Sequence, residues 1–166
     1  MSIRLDPDEA LAGPLYAVAA MLVIVPLTDF FLSVPPPQLS SVQWRFATAG
    51  LFSGYTVQPI LGLALAFVVS GAMKHHTLQR LLVALCLLAG VSLFALSALF
   101  MLDVLQVGAA VPTEGRLAFD SAWKRAIIKH VVAAALLVFM GWGARRMIPA
   151  RVRHRATPKP VHVVSK

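Results

Sequence analysis

The chain has 166 residues, 58% of them hydrophobic and 13% charged, with a mean hydropathy of +0.77. Soluble domains run at about 45–50% apolar and about 25% charged, so an ordinary soluble domain and a disordered chain are both excluded. Lysine and arginine number 15 against 7 acids, a net charge of +8. The basic residues lie between and after the apolar blocks and lack interleaved aromatics that could stack bases. That distribution argues against a nucleic-acid partner and for a role in membrane orientation.

Residues 1–12 read as a cytoplasmic N-terminal segment. They carry Arg4 alongside Asp6, Asp8 and Glu9. Without a positive n-region they do not look like a signal peptide, so the first apolar block is expected to stay in the protein. Four apolar blocks follow within residues 13–147. Each is close to the roughly 20 residues that a helix needs to cross a hydrocarbon core. The first span, Gly13–Val34, opens at Pro14 and is stopped by Pro35-Pro36-Pro37, because proline suits a helix start and a run of three ends a helix. The second span covers Phe46–Met73 and the third Leu81–Val107. The fourth, 120–144, is expected to start at Asp120-Ser121, whose short polar side chains suit an N-cap. Irregular chain and open strands cannot face lipid. The expected fold is therefore all-α: an integral membrane bundle of four transmembrane helices with up-down topology. Residues 148–166 read as a basic cytoplasmic tail.

Loop charges set the direction. With the N-terminus inside, one side holds Arg4, Lys74, Arg80 and the seven basic residues from Arg145 onward, ten in all. The other side holds Arg45, Arg116, Lys124, Arg125 and Lys129. The positive-inside rule then puts both termini in the cytoplasm. Trp44 and Trp123 fall at the outer interface, and Tyr16 and Trp142 at the inner one, as an aromatic belt requires.

Three groups of residues are candidates for function. The first is ionic. Asp29 ends the first span, Arg45 precedes the second, Asp103 ends the third, and Lys124, Arg125, Lys129 and His130 open the fourth. An up-down bundle brings all of them to the outer third of the membrane, where unpaired charges are expensive. The spacing predicts an interhelical ion network; an anionic headgroup site or a proton relay is the functional alternative, and snorkelling to the interface a third.

The second group is a stripe of small and polar residues in the second span. Gly50, Gly54, Gln58, Gly62, Ala66 and Ser70 recur every four residues, with Gly50 and Gly54 forming a GxxxG. Small residues let membrane helices approach closely. Pro59 is expected to kink the span beside Gln58, and Gln58 to bond to a neighbouring helix or to the freed carbonyls. Pro26, Thr28 and Asp29 suggest a similar break late in the first span.

The third group is the run Arg145, Arg146, Arg151, Arg153 and Arg155, which either anchors on anionic lipid headgroups or docks on a partner subunit. Cys86 is single, which excludes an intrachain disulfide or a CxxC pair, and its apolar setting marks a packing residue. His76 and His130 fall on opposite sides of the bilayer, so they cannot share a haem; His130 alone could serve as an axial ligand to haem or chlorophyll. No GxSxG, HExxH, P-loop or zinc-ligand spacing is present, and no catalytic residue, metal or cofactor is expected.

Asp29, Pro35, Gln43-Trp44-Arg45, Pro59 with Gly62, and Asp103 with Gln106-Val107 together resemble the HpsJ-like group of small bacterial membrane proteins, over roughly residues 15–107. That group is linked with polysaccharide production and exosortase systems. The resemblance implies a place beside such a system and carries over no catalytic residues. The expected function is a non-enzymatic accessory or scaffold subunit in a bacterial inner membrane, with lipid and other membrane subunits as partners. The alternatives are a small transporter or lipid-binding protein using the charge cluster, and a pigment- or cofactor-holding subunit of a respiratory or photosynthetic complex.

Overall fold

The computed structural model describes the backbone of residues 7–147 and the side chains of residues 11–146. Residues Arg4, Arg151, Arg153, Arg155 and the rest of the tail lie outside the described residues. Five α-helices and one turn of 3₁₀ helix make up the described chain, with no strand among them. They are α1 (Pro7–Ser33), α2 (Val42–Phe52), α3 (Val57–Ala72), α4 (His76–Ala110), the 3₁₀ turn Thr113–Gly115 and α5 (Arg116–Met147).

Three stretches are long and apolar enough to cross a membrane: Leu11–Ser33, His76–Ala110 and Thr113–Arg146. The pair α2 and α3 makes a fourth if counted as one bent span, with 46° between its halves.

Helix ends follow local chemistry and differ in places from the apolar blocks. Pro14 lies inside α1 and does not open it: over the described residues the helix runs unbroken from Pro7 through both Pro14 and Pro26 to Ser33. The break expected at Pro26–Asp29 is absent. Helix α2 starts four residues earlier than the apolar block because Ser41 caps it, its hydroxyl accepting from the Trp44 amide at 3.3 Å. Helix α5 starts at Arg116, so Asp120 and Ser121 are not its N-cap. They sit inside its second turn, where Asp120 accepts from the Trp123 indole at 3.2 Å and Ser121 donates to the Ala118 carbonyl. The 3₁₀ turn before Arg116 already turns the chain, so no cap at position 120 is needed.

The bend between α2 and α3 falls at Ser53–Thr56, before Pro59. Here the ladder tightens: the Gly54 amide donates to Leu51 and the Tyr55 amide to Phe52. The Ser53 hydroxyl donates to the Gly50 carbonyl at 2.6 Å and the Thr56 hydroxyl to the Ser53 carbonyl at 3.2 Å. The two hydroxyls satisfy carbonyls that the broken helix releases. Pro59 is the third residue of α3, where the amide it lacks would have had no helical partner. It therefore follows the bend and does not cause it.

Helices α3 and α4 are joined by a tight turn. The His75 amide donates to the Ser70 carbonyl and the Lys74 amide to Gly71, the Schellman pattern. Lys74 occupies the left-handed position at φ 55°, usually filled by glycine because a side chain costs about 1–2 kcal/mol there. Lys74→Gly is expected to stabilise the fold by about 1 kcal/mol, seen as a rise in melting temperature by circular dichroism. An unchanged or lower melting temperature would contradict the strain.

Packing is strongest between α4 and α5 and next between α1 and α3, while α2 and α3 lie against α4 and α5. Helices in each main pair run past one another in opposite directions. Along α1 and α3, Tyr16 meets His75, Ala19 meets Gly62, and Phe30 meets Phe52 across the bend. Along α4 and α5, Gly90 meets Ala134 and Val138, and Gly141 meets Val83 and Leu87. The core has two centres. One gathers Leu63, Leu82, Cys86, Leu93, Ala133, Ala134 and Leu137; the other gathers Ala49, Phe100, Val104 and Ala126.

Candidate functional site

The second core centre builds the most developed polar feature. Phe46 of α2 stacks on Phe100 of α4 with ring centroids 5.3 Å apart and on Phe119 of α5 at 5.3 Å. That aromatic stack holds α2 against α4 and brings Arg45, next to Phe46, to Asp103, one turn beyond Phe100. The Arg45 Nη2 donates to Asp103 Oδ1 at 2.7 Å, and its Nε donates to both carboxylate oxygens at 3.2 and 3.3 Å. The Nη1 donates to the Leu39 carbonyl at 2.8 Å, tying the α1–α2 loop to the same point. The Asp103 side chain is 8% exposed and that of Arg45 36%. A carboxylate so enclosed is stable only with such a partner, and the planar guanidinium fork suits it better than an ammonium would.

The rest of the expected ion network does not assemble. Asp29, Lys124, Arg125 and Lys129 all lie exposed on the surface of their helices, and Arg45–Asp103 is the ion pair found among the described residues. Lys124 instead lies over the Trp123 ring at 5.7 Å. The reason is the rotation of α5. Its buried face carries Ala126, His130, Ala133, Ala134 and Leu137, and burying that run turns the three cations away.

His130 is fully buried. It sits against Phe100 edge-on, with centroids 5.9 Å apart, and beside Phe52 at 6.1 Å. Among the described residues neither ring nitrogen has a hydrogen-bond partner, and a buried polar group in that state costs about 1–3 kcal/mol. His130→Leu is therefore expected to raise stability by about 1 kcal/mol or more, measured by reversible denaturation in micelles. A loss of stability would show that the imidazole is satisfied by a bound group. His130 is not among the side chains that line the three hollows described below. Among the described residues no cluster of three or more His, Cys, Asp or Glu could hold a metal.

The small-residue stripe divides. Gly62 is a true close approach: a Cβ there would stand 2.6 Å from the Ala19 carbonyl oxygen and 2.8 Å from a Val23 methyl. Ser70 is fully buried, its hydroxyl donating to Phe67, and Ala66 packs at the edge of the core. Gly50 meets nothing within 4 Å, Gly54 lies in the bend outside both helices, and Gln58 is exposed on α3. The GxxxG pair and Gln58 thus make no cross-helix contact of the expected kind, because the bend at Ser53–Thr56 redirects the upper half of the stripe.

Residues that sequence reasoning passed over form a second close seam. Gly90 of α4 and Gly141 of α5 each lie so close to the partner helix that a Cβ would stand 2.8 Å from Val138 and 2.9 Å from Leu87. Cys86 lies fully buried one turn from Gly90 on this seam, as its packing role required. Tyr16 also hydrogen-bonds His75 at 3.0 Å, joining the start of α1 to the α3–α4 turn. At the same end Arg145 and Arg146 close α5, with Arg146 over the Trp142 ring at 4.8 Å.

Comparison with known proteins finds no family model, no curated sequence and no solved structure that matches the chain. The site must therefore be read from its own geometry.

Two adjoining hollows lie on the side of the bundle where α4 faces α2 and α1. One, of about 550 Å³, lies beside the ion pair and is lined by Trp44, Arg45, Thr48 and Phe52 of α2 and by Leu96, Asp103 and Gln106 of α4. The other, of about 380 Å³, shares Phe52 and Leu96 with it and continues between Val23 and Leu27 of α1 and Leu85, Ala89 and Ser92 of α4. A third, of about 670 Å³, lies at the opposite end between α3 and α5, with His76 and Gln79 at its edge. These sizes suit small ligands, and their walls are mostly apolar.

Proposed function

We propose that the chain is a multi-pass protein of a bacterial inner membrane, an up-down bundle with both termini cytoplasmic, and a non-catalytic accessory or scaffold subunit of a larger membrane assembly. The membrane placement rests on the surface of the helices. Leu32, Val68, Leu88 and Leu105 are each more than two-thirds exposed on stretches long enough to span, and contiguous apolar surface of this kind aggregates in water. In that placement the Arg45–Asp103 end faces outward, and Arg145 and Arg146 face the cytoplasm, where basic residues and an interfacial tryptophan anchor a span.

The observation that carries the scaffold reading is the outward position of Asp29, Gln58 and Lys129 on these apolar helices. Polar and charged groups facing lipid are expensive. Neighbouring helices that offer matching polar groups remove that cost and make such positions contact points. The HpsJ-like resemblance supports a polysaccharide-producing or exosortase system as the assembly.

A photo-crosslinking amino acid at position 58, activated in native membranes, tests this reading. A discrete adduct of protein mass is expected at position 58 and none at position 88, where the exposed Leu88 faces only lipid. No adduct at 58, or the same pattern at both positions, would contradict it.

A further inference from the structure

The geometry points to a groove that holds one phosphodiester-headed lipid, its phosphate on Arg45 and one acyl chain lying between α1 and α4. The two hollows on this side adjoin at Phe52 and Leu96, which line both; the one at the Arg45 end carries polar groups and the other is almost wholly apolar. The assignment rests on the membrane placement proposed above.

The head end has donors to spare. A guanidinium carries five N–H groups. In Arg45 one on Nε and one on each terminal nitrogen are used on Asp103 and Leu39. One N–H remains on Nη1 and one on Nη2, a pair that suits two oxygens of one phosphate. The pair is neutral as a whole, but its two halves are unequally shown: the Asp103 side chain is 8% exposed and that of Arg45 36%. Both residues line the hollow, and the guanidinium, with its spare donors, is the more accessible half. Trp44 and Gln106 stand at the same mouth, at the depth where headgroups lie in the proposed orientation.

The far end, lined almost wholly by apolar side chains, suits a hydrocarbon chain. The α4 wall from Leu85 to Asp103 is roughly 27 Å long at helical rise, more than the roughly 15 Å depth of one leaflet's hydrocarbon. The apolar part of the groove holds about 380 Å³. Because α1 packs chiefly on α3, the groove opens between α1 and α4 onto the bilayer, the source of such chains.

Native mass spectrometry of the full chain, stripped of lipid by detergent washing and then exposed to phosphatidylglycerol, tests the assignment. Wild type is expected to retain one lipid. Ser92→Phe fills the exposed groove wall without touching the ion pair, and is expected to weaken retention about tenfold or more. The double variant Arg45→Leu/Asp103→Leu removes the headgroup donors while leaving no buried charge, and is expected to weaken it similarly. No adduct on wild type, or equal retention by all three proteins, overturns the assignment. Loss in the double variant alone overturns the acyl groove, and loss in Ser92→Phe alone overturns the phosphate contact. Extraction of the wild type from membranes by alkaline carbonate would instead show that the membrane placement is wrong, a result separable from an integral protein that binds no lipid.

Discussion

Gly62→Leu is expected to destabilise the protein by about 3 kcal/mol and to release α1 from α3. Adding even a Cβ at this position places an atom 2.6 Å from the Ala19 carbonyl oxygen and 3.0 Å from the Leu22 Cβ. The first of these is backbone, so no rotamer change relieves the clash and the two helices must separate. Overpacking at a tight contact typically costs 1–3 kcal/mol, and more when backbone has to move. Helix α1 packs chiefly on α3, so the loss concentrates there. Gly50→Ala is the control. Nothing lies within 4 Å of its Cβ, and the substitution is expected to gain about 0.5–1 kcal/mol by helix propensity alone. Reversible unfolding in mixed micelles, followed by circular dichroism, separates the two. Equal effects would place the close approach at the GxxxG pair instead.

The ion pair carries the second large effect. Arg45→Ala leaves the Asp103 carboxylate enclosed with no cation, and the melting temperature is expected to fall on the order of 5 °C or more. Asp103→Leu is expected to be milder, because the partly exposed Arg45 can extend its head toward water. The double variant Arg45→Leu/Asp103→Leu is expected to lie close to wild type, since a buried pair replaced by apolar groups of similar size is often neutral. A double-mutant cycle on thermal unfolding reads this ordering. Additive single effects would show that the 2.7 Å contact contributes nothing to the fold.

Much of this architecture was legible in the sequence, and the failures have physical causes. Composition and block length correctly indicate several helices long enough to span, because roughly 20 apolar residues have few other uses. Arg45 and Asp103 were both on the expected ionic list and do meet. The other charges could not be assigned because the rotation of α5 is set by which apolar side chains interlock. A helix that is apolar nearly all round has too little polar contrast to reveal its buried face.

The same blindness hid the Gly90–Gly141 seam, although Cys86, Gly90, Leu93 and Ser97 recur at helical spacing along α4 and are all buried. Their alternation is small against large and not polar against apolar, so hydropathy does not register it. The bend was misplaced because proline is the stronger single signal. Ser53, Gly54 and Thr56 act together: a glycine without side-chain packing and two hydroxyls that satisfy released carbonyls make the break inexpensive four residues earlier.

The scaffold reading and the groove make different demands. On the scaffold reading proposed above, outward-facing Asp29, Gln58 and Lys129 meet polar partners beside the bundle, while on the groove proposal a lipid lies against Arg45. The internal contacts, from the aromatic stack of Phe46 and Phe100 to the glycine seam, serve to hold these surfaces at fixed positions.

The most direct measurement of the central claim is the polypeptide content of the material that co-purifies with this chain from native membranes in mild detergent. A second polypeptide in fixed stoichiometry, lost when Gln58 is replaced by leucine, is the expected result. A single polypeptide of this chain alone, unchanged by that substitution, would contradict it.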